Sequence, residues 1–539
     1  MIRIRNLRLL PGEPEELLKE RAAKKLRIAP EQIREVRILK RSLDARKRTE
    51  IHYLFTVAVA VSGNEEKLLL RAKTPDAELF AADPAELEVP AAAPPQREED
   101  RPLVVGFGPA GMFAALLLAR AGLRPIVIER GQKVEERQKA VEALRQKGIL
   151  DPESNAQFGE GGAGTFSDGK LNTGTHDKRI RFVLQEFCRH GAKESVLYDA
   201  KPHIGTDVLV GVVKRFREEI LSLGGEIRFE TRLERLELAG GRICGAVARR
   251  ENGEITIPCQ NVILAIGHSA RDTFTALHAQ QIPMERKAFS MGVRIEHRQE
   301  DISRAQYGAA AEKLPAADYS LSVHLPDGSS AYSFCMCPGG QVFAAASEEN
   351  AVCTNGMSYS RRDGENANSA LLVTLLPEDF PGEGILAGMD WQREIEKRAY
   401  EYGSAAGPYF APAQLAGDLL AGRPSSGPGR IKPTYLPGVR WGDLQEVLPE
   451  KILSVLKNAL PALGKKLPGF DAPDAVLTAP ETRSSSPVRI LRGSSCESSV
   501  RGLFPCGEGA GYAGGITSAA VDGLRCAEAL IRKLAENSD

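Results

Sequence analysis

The feature that most constrains the fold is a glycine pattern between two apolar segments. Residues 102–108 (PLVVGFG) predict a buried strand, and residues 109–122 (PAGMFAALLLARAG) predict a helix. Gly106, Gly108 and Gly111 have the G-x-G-x-x-G spacing of dinucleotide-binding βαβ units. In such units the first glycine permits a tight turn, the second lets a pyrophosphate approach the backbone, and the third lets helix and strand pack closely. The pattern therefore predicts a Rossmann-type dinucleotide site.

The helix start and the end of the next strand supply the other contacts expected at this site. Pro109 and Ala110 lie at the helix N-terminus, where free N–H groups and the helix dipole favour phosphate. The second strand, LRPIVIER, ends in Glu129 and Arg130. Glu129 follows Gly106 by 23 residues, a position from which an acidic side chain binds the ribose hydroxyls. An acidic residue at this position disfavours NADP.

Three later segments favour FAD over NAD, which the glycine pattern alone does not distinguish. Residues 261–268 (NVILAIGH) resemble the strand that ends the first part of the FAD domain in two-dinucleotide-fold flavoproteins. Residues 502–508 (GLFPCGE) resemble the second FAD motif of those proteins, whose last, acidic residue binds the ribityl chain. A glycine-rich turn then opens a helix near 516–535, whose N-terminal dipole would stabilise anionic reduced flavin. The cofactor-binding residues expected from these segments are Gly267, Gly507, Glu508, Gly514, Gly515 and Ile516.

A second glycine-rich loop spans residues 155–170 (NAQFGEGGAGTFSDGK). Glycines let a backbone lie flat against an aromatic ring or a phosphate, so we expect this loop to contact the isoalloxazine. A flexible surface loop is the alternative interpretation. The residues expected at the cofactor or substrate are Gly161, Gly162, Gly164, Ser167, Asp168 and Lys170.

Together, the segments GFGPAGMFAALLLARAG, NAQFGEGGAGTFSDGKLNTG, YSFCMCPGG, ETRSSSPVRI and LFPCGEGAGYAGGITSAAVDGL resemble a bacterial family known as uncharacterised FAD-dependent dehydrogenases. The resemblance extends over nearly the whole chain, including the small N-terminal domain. It implies a glutathione-reductase-type FAD domain and bound FAD. It implies no particular substrate and no catalytic residue.

The expected fold class is mixed α/β. Residues 1–82 predict a small N-terminal α+β domain, and the Pro- and Ala-rich stretch 83–100 predicts a linker. A two-part Rossmann-type FAD/NAD(P)-binding domain is expected at 101–280 and 481–539. Residues 281–480, rich in Pro and Gly with short strand-like pieces, predict an inserted β-rich substrate domain.

Catalytic residues are not assigned by the sequence. Arg361, together with Arg362, Asn366 and Asn368, could bind a carboxylate or could form loop hydrogen bonds. His268 could act as a general acid or could hold the adenine end in place. The candidates for a catalytic role are Ser167, Asp168, Lys170, Arg361, Arg483 and Arg489.

The cysteines exclude one class of flavoenzyme. No cysteine lies between Glu129 and Cys188, so a redox pair of the kind used by pyridine-nucleotide disulfide oxidoreductases is not expected. Cys335 and Cys337 form the one close pair, either a labile redox pair or two buried strand cysteines. No second G-x-G-x-x-G follows, so electrons would come from a transiently docked NAD(P)H, a redox protein or the substrate.

Composition bears on the cellular location and the partners of this protein. The chain has 539 residues and a net charge of zero. Its nine cysteines are scattered and include no C-x-x-C pair, which favours a cytoplasmic location and predicts no metal site. No apolar run reaches the roughly 20 residues of a membrane helix. Residues 1–60 carry fifteen Lys and Arg against eight Asp and Glu, which fits either a docking face or a solvated edge. Nucleic acid is the less favoured partner.

Three functional hypotheses follow from the sequence. The first is hydride transfer between FAD and a small organic substrate. The second is a flavoprotein that acts on RNA or on a protein-bound group through the basic N-terminal domain. The third is a non-catalytic interaction or redox-sensing protein that binds FAD.

Overall fold

The computed structural model describes residues 1–81, 87 and 90–536. Of the expected linker at 83–100, residues 83–86, 88 and 89 lie outside the described residues, as does the expected domain end at residue 82. The described chain is mixed α/β, and its elements fall into four successive parts, which confirms the predicted fold class.

The N-terminal part is a four-stranded sheet in the order β2-β3-β1-β4, with all neighbouring strands antiparallel. Leu18, Ala22 and Leu26 recur at helical spacing on α1 and are buried against the sheet. Its elements are β1 (Ile2–Leu9), α1 (Leu17–Leu26), β2 (Ile33–Asp44), β3 (His52–Val61), α2 (Glu65–Ala72) and β4 (Ala77–Leu79).

The β2–β3 hairpin joins this part to the rest of the molecule. Arg41 forms an ion pair with Asp199, with Nε and Oδ1 2.7 Å apart. Its backbone also donates to the carbonyl of Tyr198 and accepts from the N–H of Ala200. Ile51, just before β3, is buried in the core of the third part. The hairpin is therefore a packed contact and not a free arm.

The second part carries four strands of a five-stranded parallel sheet, ordered β23-β11-β5-β6-β7. Between β7 and β11 the chain forms a separate antiparallel sheet of strands β8, β9 and β10, which begins at Arg232. The elements are β5 (Leu103–Val105), α3 (Pro109–Arg120), β6 (Ile126–Ile128), α4 (Val134–Lys147), α5 (Arg179–Arg189), α6 (Thr206–Ser222), β7 (Glu226–Arg228), β8 (Arg232–Ala239), β9 (Arg242–Arg250), β10 (Gly253–Ile257), β11 (Val262–Leu264) and α7 (Arg271–Ala279).

The third part is built on a seven-stranded sheet in the order β14-β15-β18-β13-β21-β19-β20. Strands β13 and β18 pair over ten residues each and are almost entirely buried, because both faces of the sheet are covered. The elements are β12 (Met284–Arg286), β13 (Phe289–Arg298), α8 (Gln299–Tyr307), β14 (Ser322–His324), β15 (Ser330–Cys337), β16 (Gln341–Ala344), β17 (Thr354–Met357), β18 (Asn366–Leu375), α9 (Ala387–Ser404), β19 (Ala411–Leu415), α10 (Ala416–Ala421), β20 (Val439–Trp441), α11 (Glu450–Gly464) and β21 (Val476–Glu481).

The last part returns to the parallel sheet. Strand β23 follows β11 by about 240 residues in the chain and pairs with it in parallel. The parallel sheet is therefore completed only near the C-terminal end of the chain. The helix that follows β23 packs on α3, and Gly523 permits the contact, since a Cβ there would lie 2.1 Å from the Ala110 carbonyl oxygen. The elements are β22 (Val488–Ile490), β23 (Leu503–Pro505) and α12 (Ile516–Glu536). Within the described ranges, no helix has both the length and the apolar character required to cross a bilayer.

Candidate cofactor and active site

The turn between β5 and α3 has the geometry that its glycines predict. Gly106 has φ +95°, and a Cβ there would lie 2.3 Å from the carbonyl oxygen of Ala265. A Cβ on Gly111 would lie 1.9 Å from the Gly106 carbonyl oxygen, so this glycine allows α3 to pack on β5. A Cβ on Gly108 would meet only the Cα of Gly162, at 3.6 Å. Gly108 therefore keeps open the space in front of the α3 N-terminus.

Glu129, at the end of β6, binds backbone. Its buried carboxylate accepts the N–H groups of Phe107 at 2.8 Å and of Gly131 and Gly159 at 2.9 Å. These bonds fix the first glycine turn, the β6 end and the glycine loop relative to one another. The carboxylate also borders the cavity described below, so its contact with ribose stays a prediction.

The glycine loop is organised by Arg137 of α4, a residue that the sequence analysis missed. Its guanidinium is fully buried, which lowers its pKa to about 10. All five of its hydrogen bonds go to carbonyl oxygens of the loop, those of Asn155, Ala156, Gly159, Glu160 and Gly162. A basic residue on an amphipathic helix gives no sequence signal for such a role.

Three glycines of this loop make different contacts. Gly161 donates its N–H to the carbonyl of Phe107 at 2.8 Å, which binds the loop to the first turn. Gly164 packs against Ile516, where a Cβ would come within 3.0 Å of Cγ1. Gly162 faces the open space in front of Gly108. The loop thus lies across both glycine motifs.

The C-terminal motif brings a second helix N-terminus to the same place. Gly507 has φ +78° and lies against Ala110 of α3. Burial raises the pKa of Glu508 to about 7, and the backbone of Gly515 hydrogen-bonds its carboxylate. A Cβ on Gly267, Gly514 or Gly515 would meet no atom within 4 Å, although all three line the cavity. Because these three glycines have no side chains, they leave space that a bound group can occupy.

One cavity of about 460 Å³ connects these elements. Of the residues expected at the cofactor, those that line it are Gly106, Gly108, Pro109, Ala110, Glu129, Arg130, Gly162, Gly164, Gly267, Gly507, Glu508, Gly514, Gly515 and Ile516. Gly111 and Gly161 lie just behind the lining and shape it. Two helix N-termini, an acidic residue at each end and open glycine backbone suit a long group with a central pyrophosphate.

Arg130 lines the cavity at the end of β6. Its guanidinium pairs with Glu153 and Asp272, both at 2.9 Å, and lies 4.1 Å from the centroid of the Phe158 ring. His268 also lines the cavity, where burial lowers its pKa to about 3, and its Nε2 lies 3.8 Å from Oε1 of Glu508. It therefore lies beside the C-terminal motif and not at the adenine end, where it was expected. A neutral imidazole at neutral pH fits a positioning role better than that of a general acid.

The opposite end of the cavity is polar and charged. Lys170 lies 3.0 Å from Asp168, and Arg362 and Ser358 also bind that carboxylate. Burial opposes ionisation of Asp168, but Lys170 and Arg362 outweigh it and lower its pKa to about 2. Ser167 and Lys170 line the cavity, while Asp168 does not and is the counter-ion of Lys170 and Arg362.

The remaining sequence candidates have other partners. Arg483 lines the cavity, but its donors bind Glu396 and Ser347. Arg489 pairs with Glu285 at 3.0 Å and does not line the cavity, and Arg361 is exposed outside it.

The two asparagines expected near Arg361 lie in strand β18. Asn366 donates to Glu296 at 3.1 Å, and Asn368 accepts from Arg294 at 3.1 Å. Both amides hold the sheet together and do not line the cavity.

Two further features escaped the sequence analysis. Arg294 of β13 is buried and pairs with Glu481 of β21, with Nη2 and Oε1 3.0 Å apart. Glu481 and Cys335 line the cavity beside Lys170. These residues are separated by up to about 300 positions, so only the fold brings them together.

One group among the described residues has ligand types close enough for a metal ion, namely Glu186, His190 and Glu219. Arg120 pairs with both carboxylates, at 2.8 and 2.7 Å. The group therefore already has a cationic partner.

Comparison with known proteins identifies the family. Residues 101–293 match the family described as "FAD binding domain", and residues 288–484 match "FAD-dependent protein, C-terminal domain-like". An uncharacterised protein of Clostridium beijerinckii is 47% identical over 538 residues, which cover 99% of each chain. The chain belongs to a family of FAD-dependent proteins. FAD, the predicted cofactor, is thereby confirmed. Residues 1–60 match a domain of unknown function (DUF8436).

Solved structures with partial similarity include a reductase-like protein and an oxidase. A geranylgeranyl bacteriochlorophyll reductase-like protein from Thermoplasma acidophilum aligns at 12% identity and TM-score 0.36, over 81% of this chain and 79% of that one. A glycine oxidase from Bacillus cereus aligns at 10% identity and TM-score 0.31, over 80% of this chain and 95% of that one. Similarity at this level carries no functional argument.

Proposed function

We propose that this FAD-dependent protein transfers hydride between bound FAD and a small organic substrate. The observation that carries the proposal is the continuity of the cavity. It runs from the glycine turn at Gly106 to a polar end that contains Lys170, Glu481 and Cys335. A protein that used FAD only as a structural ligand would have no need for a charged chamber at the end of its cofactor site.

The chain offers a contact for each portion of FAD. The α3 N-terminus at Pro109 would bind the pyrophosphate, and Glu129 and Arg130 would flank the adenosine. Glu508 would bind the ribityl chain, and the α12 N-terminus at Ile516 would place a positive dipole beside the flavin. Bound FAD supplies two-electron chemistry that no side chain can provide.

The polar end would bind and orient the substrate. Lys170 and Arg362 are held in place by Asp168, so their positive charges are fixed before a ligand arrives. Both line the cavity, which favours a substrate with a carboxylate or another polar oxygen group. NAD(P)H that docks transiently or a redox protein is proposed as the partner in electron transfer. Nine unpaired cysteines fit a cytoplasmic location.

The second hypothesis, RNA or protein docking through the basic turn of residues 40–48, has less support. Arg41 pairs with Glu15 and Asp199, and Arg46 pairs with Asp44. Arg48 donates to a backbone carbonyl of the third part. The three arginines of the turn therefore already have partners within the molecule.

The test begins with the visible spectrum of the purified protein, recorded before and after anaerobic addition of NADH or NADPH. We expect the absorption of oxidised flavin and its bleaching by a nucleotide or by a redox-protein donor. Gly108→Val should abolish FAD binding because its side chain would fill the space in front of α3. Gly174→Val is the matched control, since no atom lies within 4 Å of a Cβ there. A wild-type protein that takes up no FAD would overturn the proposal.

A further inference from the structure

Cys335 occupies an irregular point of strand β15, at the polar end of the cavity. Between Phe334 and Cys337 the strand gains one residue relative to its partner β18, so Cys335 lies in a β-bulge. Its φ is +43°, in the left-handed region that residues other than glycine rarely adopt. Such strain is retained where the surroundings impose it, and Cys335 lines the cavity at this point.

Two cations hold the bulge. Arg294 donates to the carbonyl of Cys335 at 2.9 Å, and Lys170 donates to the carbonyl of Met336. Both cations thus lie beside the Cys335 side chain without being bound to its sulfur. A thiolate is the charge state that such a setting favours.

Cys337 completes the arrangement. It is fully buried, and its thiol donates to the Cys335 carbonyl at 3.2 Å. The neighbouring Cys337 side chain, together with the charges of Lys170 and Arg294, lowers the pKa of Cys335 to about 5. The pKa of Cys337 is raised. This setting favours a thiolate at Cys335, which lines the cavity, and a protonated thiol at Cys337, which does not.

Anionic groups also face this sulfur. Asp168 lies on the glycine loop, Glu481 on β21 and Glu508 at the α12 end of the cavity, and each interacts electrostatically with Cys335. The effects of Lys170 and Arg294 on the pKa of Cys335 are larger than that of Asp168, and the net result is a lowered pKa. The interaction with Glu508 places Cys335 at the flavin end of the cavity.

We propose that Cys335 and Cys337 are a redox-active dithiol–disulfide pair that exchanges two electrons with the flavin. The inference rests on the proposed FAD-dependent function. In the forward step, the Cys335 thiolate and the Cys337 thiol form an S–S bond and release two electrons and one proton. Both electrons and the proton are passed to oxidised FAD, which becomes the reduced anion, so charge and atoms balance. In the reverse step, reduced flavin returns the pair to thiolate and thiol.

The pair extends the reach of the flavin to a substrate disulfide. A thiolate that opens into the cavity can attack such a disulfide, and a buried second thiol can then resolve the mixed disulfide. The relay differs from that of enzymes whose cysteines follow the first FAD strand, because here both cysteines come from the inserted sheet.

The test is an anaerobic dithionite titration of the FAD-loaded protein after mild oxidation. Wild type should take up about four electrons per FAD, since a disulfide and a flavin each accept two. Cys335→Ser and Cys337→Ser should each take up about two. Cys259→Ser, which removes a buried cysteine that does not line the cavity, should still take up about four.

Mass spectrometry provides a readout that needs no variant. In the oxidised protein, the peptide with residues 335–337 should resist alkylation and lack two hydrogens, and dithionite should restore both sites. In reduced wild type, the alkylation rate of Cys335 should be nearly equal at pH 6 and pH 8. A rate that rises about a hundredfold between these pH values would show an ordinary thiol and overturn the proposal. Flavin reduction with only two electrons taken up would also overturn it, while leaving the proposed FAD function intact.

Discussion

Glu129 and Arg137 bind the same residue of the glycine loop. The carboxylate of Glu129 accepts the N–H of Gly159 at 2.9 Å, and the guanidinium of Arg137 donates to the Gly159 carbonyl at 3.3 Å. Both side chains are buried, and neither hydrogen-bonds the other. The loop over the cofactor site is therefore held by two opposite charges from separate elements, β6 and α4, before any cofactor binds. This arrangement favours preorganisation of the site.

Glu129→Gln tests the carboxylate side of this arrangement. The amide retains one acceptor oxygen, but its NH₂ group would face backbone N–H donors. We expect FAD to bind about tenfold more weakly, since hydrogen bonds to a charged group contribute about 1.5–3 kcal/mol. Fluorescence titration of apoprotein with FAD measures this change. Glu153→Gln, at a partly exposed partner of Arg130, should change the dissociation constant less than twofold, and an equal effect of both variants would contradict the assignment.

Arg137→Lys tests the cationic side. Lysine has three donors on a compact head and cannot reach five carbonyls that surround a planar guanidinium. We expect a loss of about 3 kcal/mol in the free energy of unfolding and faster amide hydrogen exchange in residues 155–162. Lys139→Arg, an exposed change on the same helix, should alter neither quantity. Unchanged exchange in the Arg137 variant would mean that other contacts order the loop.

Glu396 is the centre of a buried ion cluster that supports the wall of the cavity. Its carboxylate accepts from Arg271 at 2.8 Å and from Arg483 at 2.6 and 2.9 Å. Glu396→Gln leaves two buried guanidinium groups without their common counter-charge, so we expect a loss of about 3–5 kcal/mol in the free energy of unfolding. Chemical denaturation measures it. Glu394→Gln, two residues earlier on α9 and exposed in an ion pair with Arg398, should cost less than about 1 kcal/mol.

The glycine turn could be predicted because its requirements are local. The positive φ of Gly106 and the contact between Gly106 and Gly111 arise within six residues, and the apolar strand and helix around them have clear periodicity. The C-terminal motif was predictable for the same reason. FAD followed from the combination of the two motifs.

The chemistry of the polar end was not predictable, because it depends on contacts between distant segments. Lys170 and Cys335 are 165 positions apart, and Arg294 meets Glu481 across two strands of the inserted sheet. Arg483 has the residue type of a substrate ligand, but its donors are taken by Glu396, which lies on a helix almost ninety residues earlier. A single sequence contains the residue types of such a site but not their partners.

Glu160 makes the stability of the loop depend on pH. One carboxylate oxygen accepts from Val134 at 2.8 Å and from Arg217 at 3.0 Å, yet burial raises its pKa to about 7. Because the folded-state pKa lies above the ordinary value of 4.5, the folded protein holds the proton more tightly, and stability falls as the pH rises from about 4.5 to 7.

Glu160→Gln removes this titration. The variant should therefore gain about 2–3 kcal/mol relative to wild type between pH 5 and pH 8 in chemical denaturation. Glu142→Gln, a change on helix α4 at a carboxylate that pairs with Arg145, is the control, and its stability difference from wild type should stay constant over that range. A constant difference for the Glu160 variant as well would show that its carboxylate is ionised throughout.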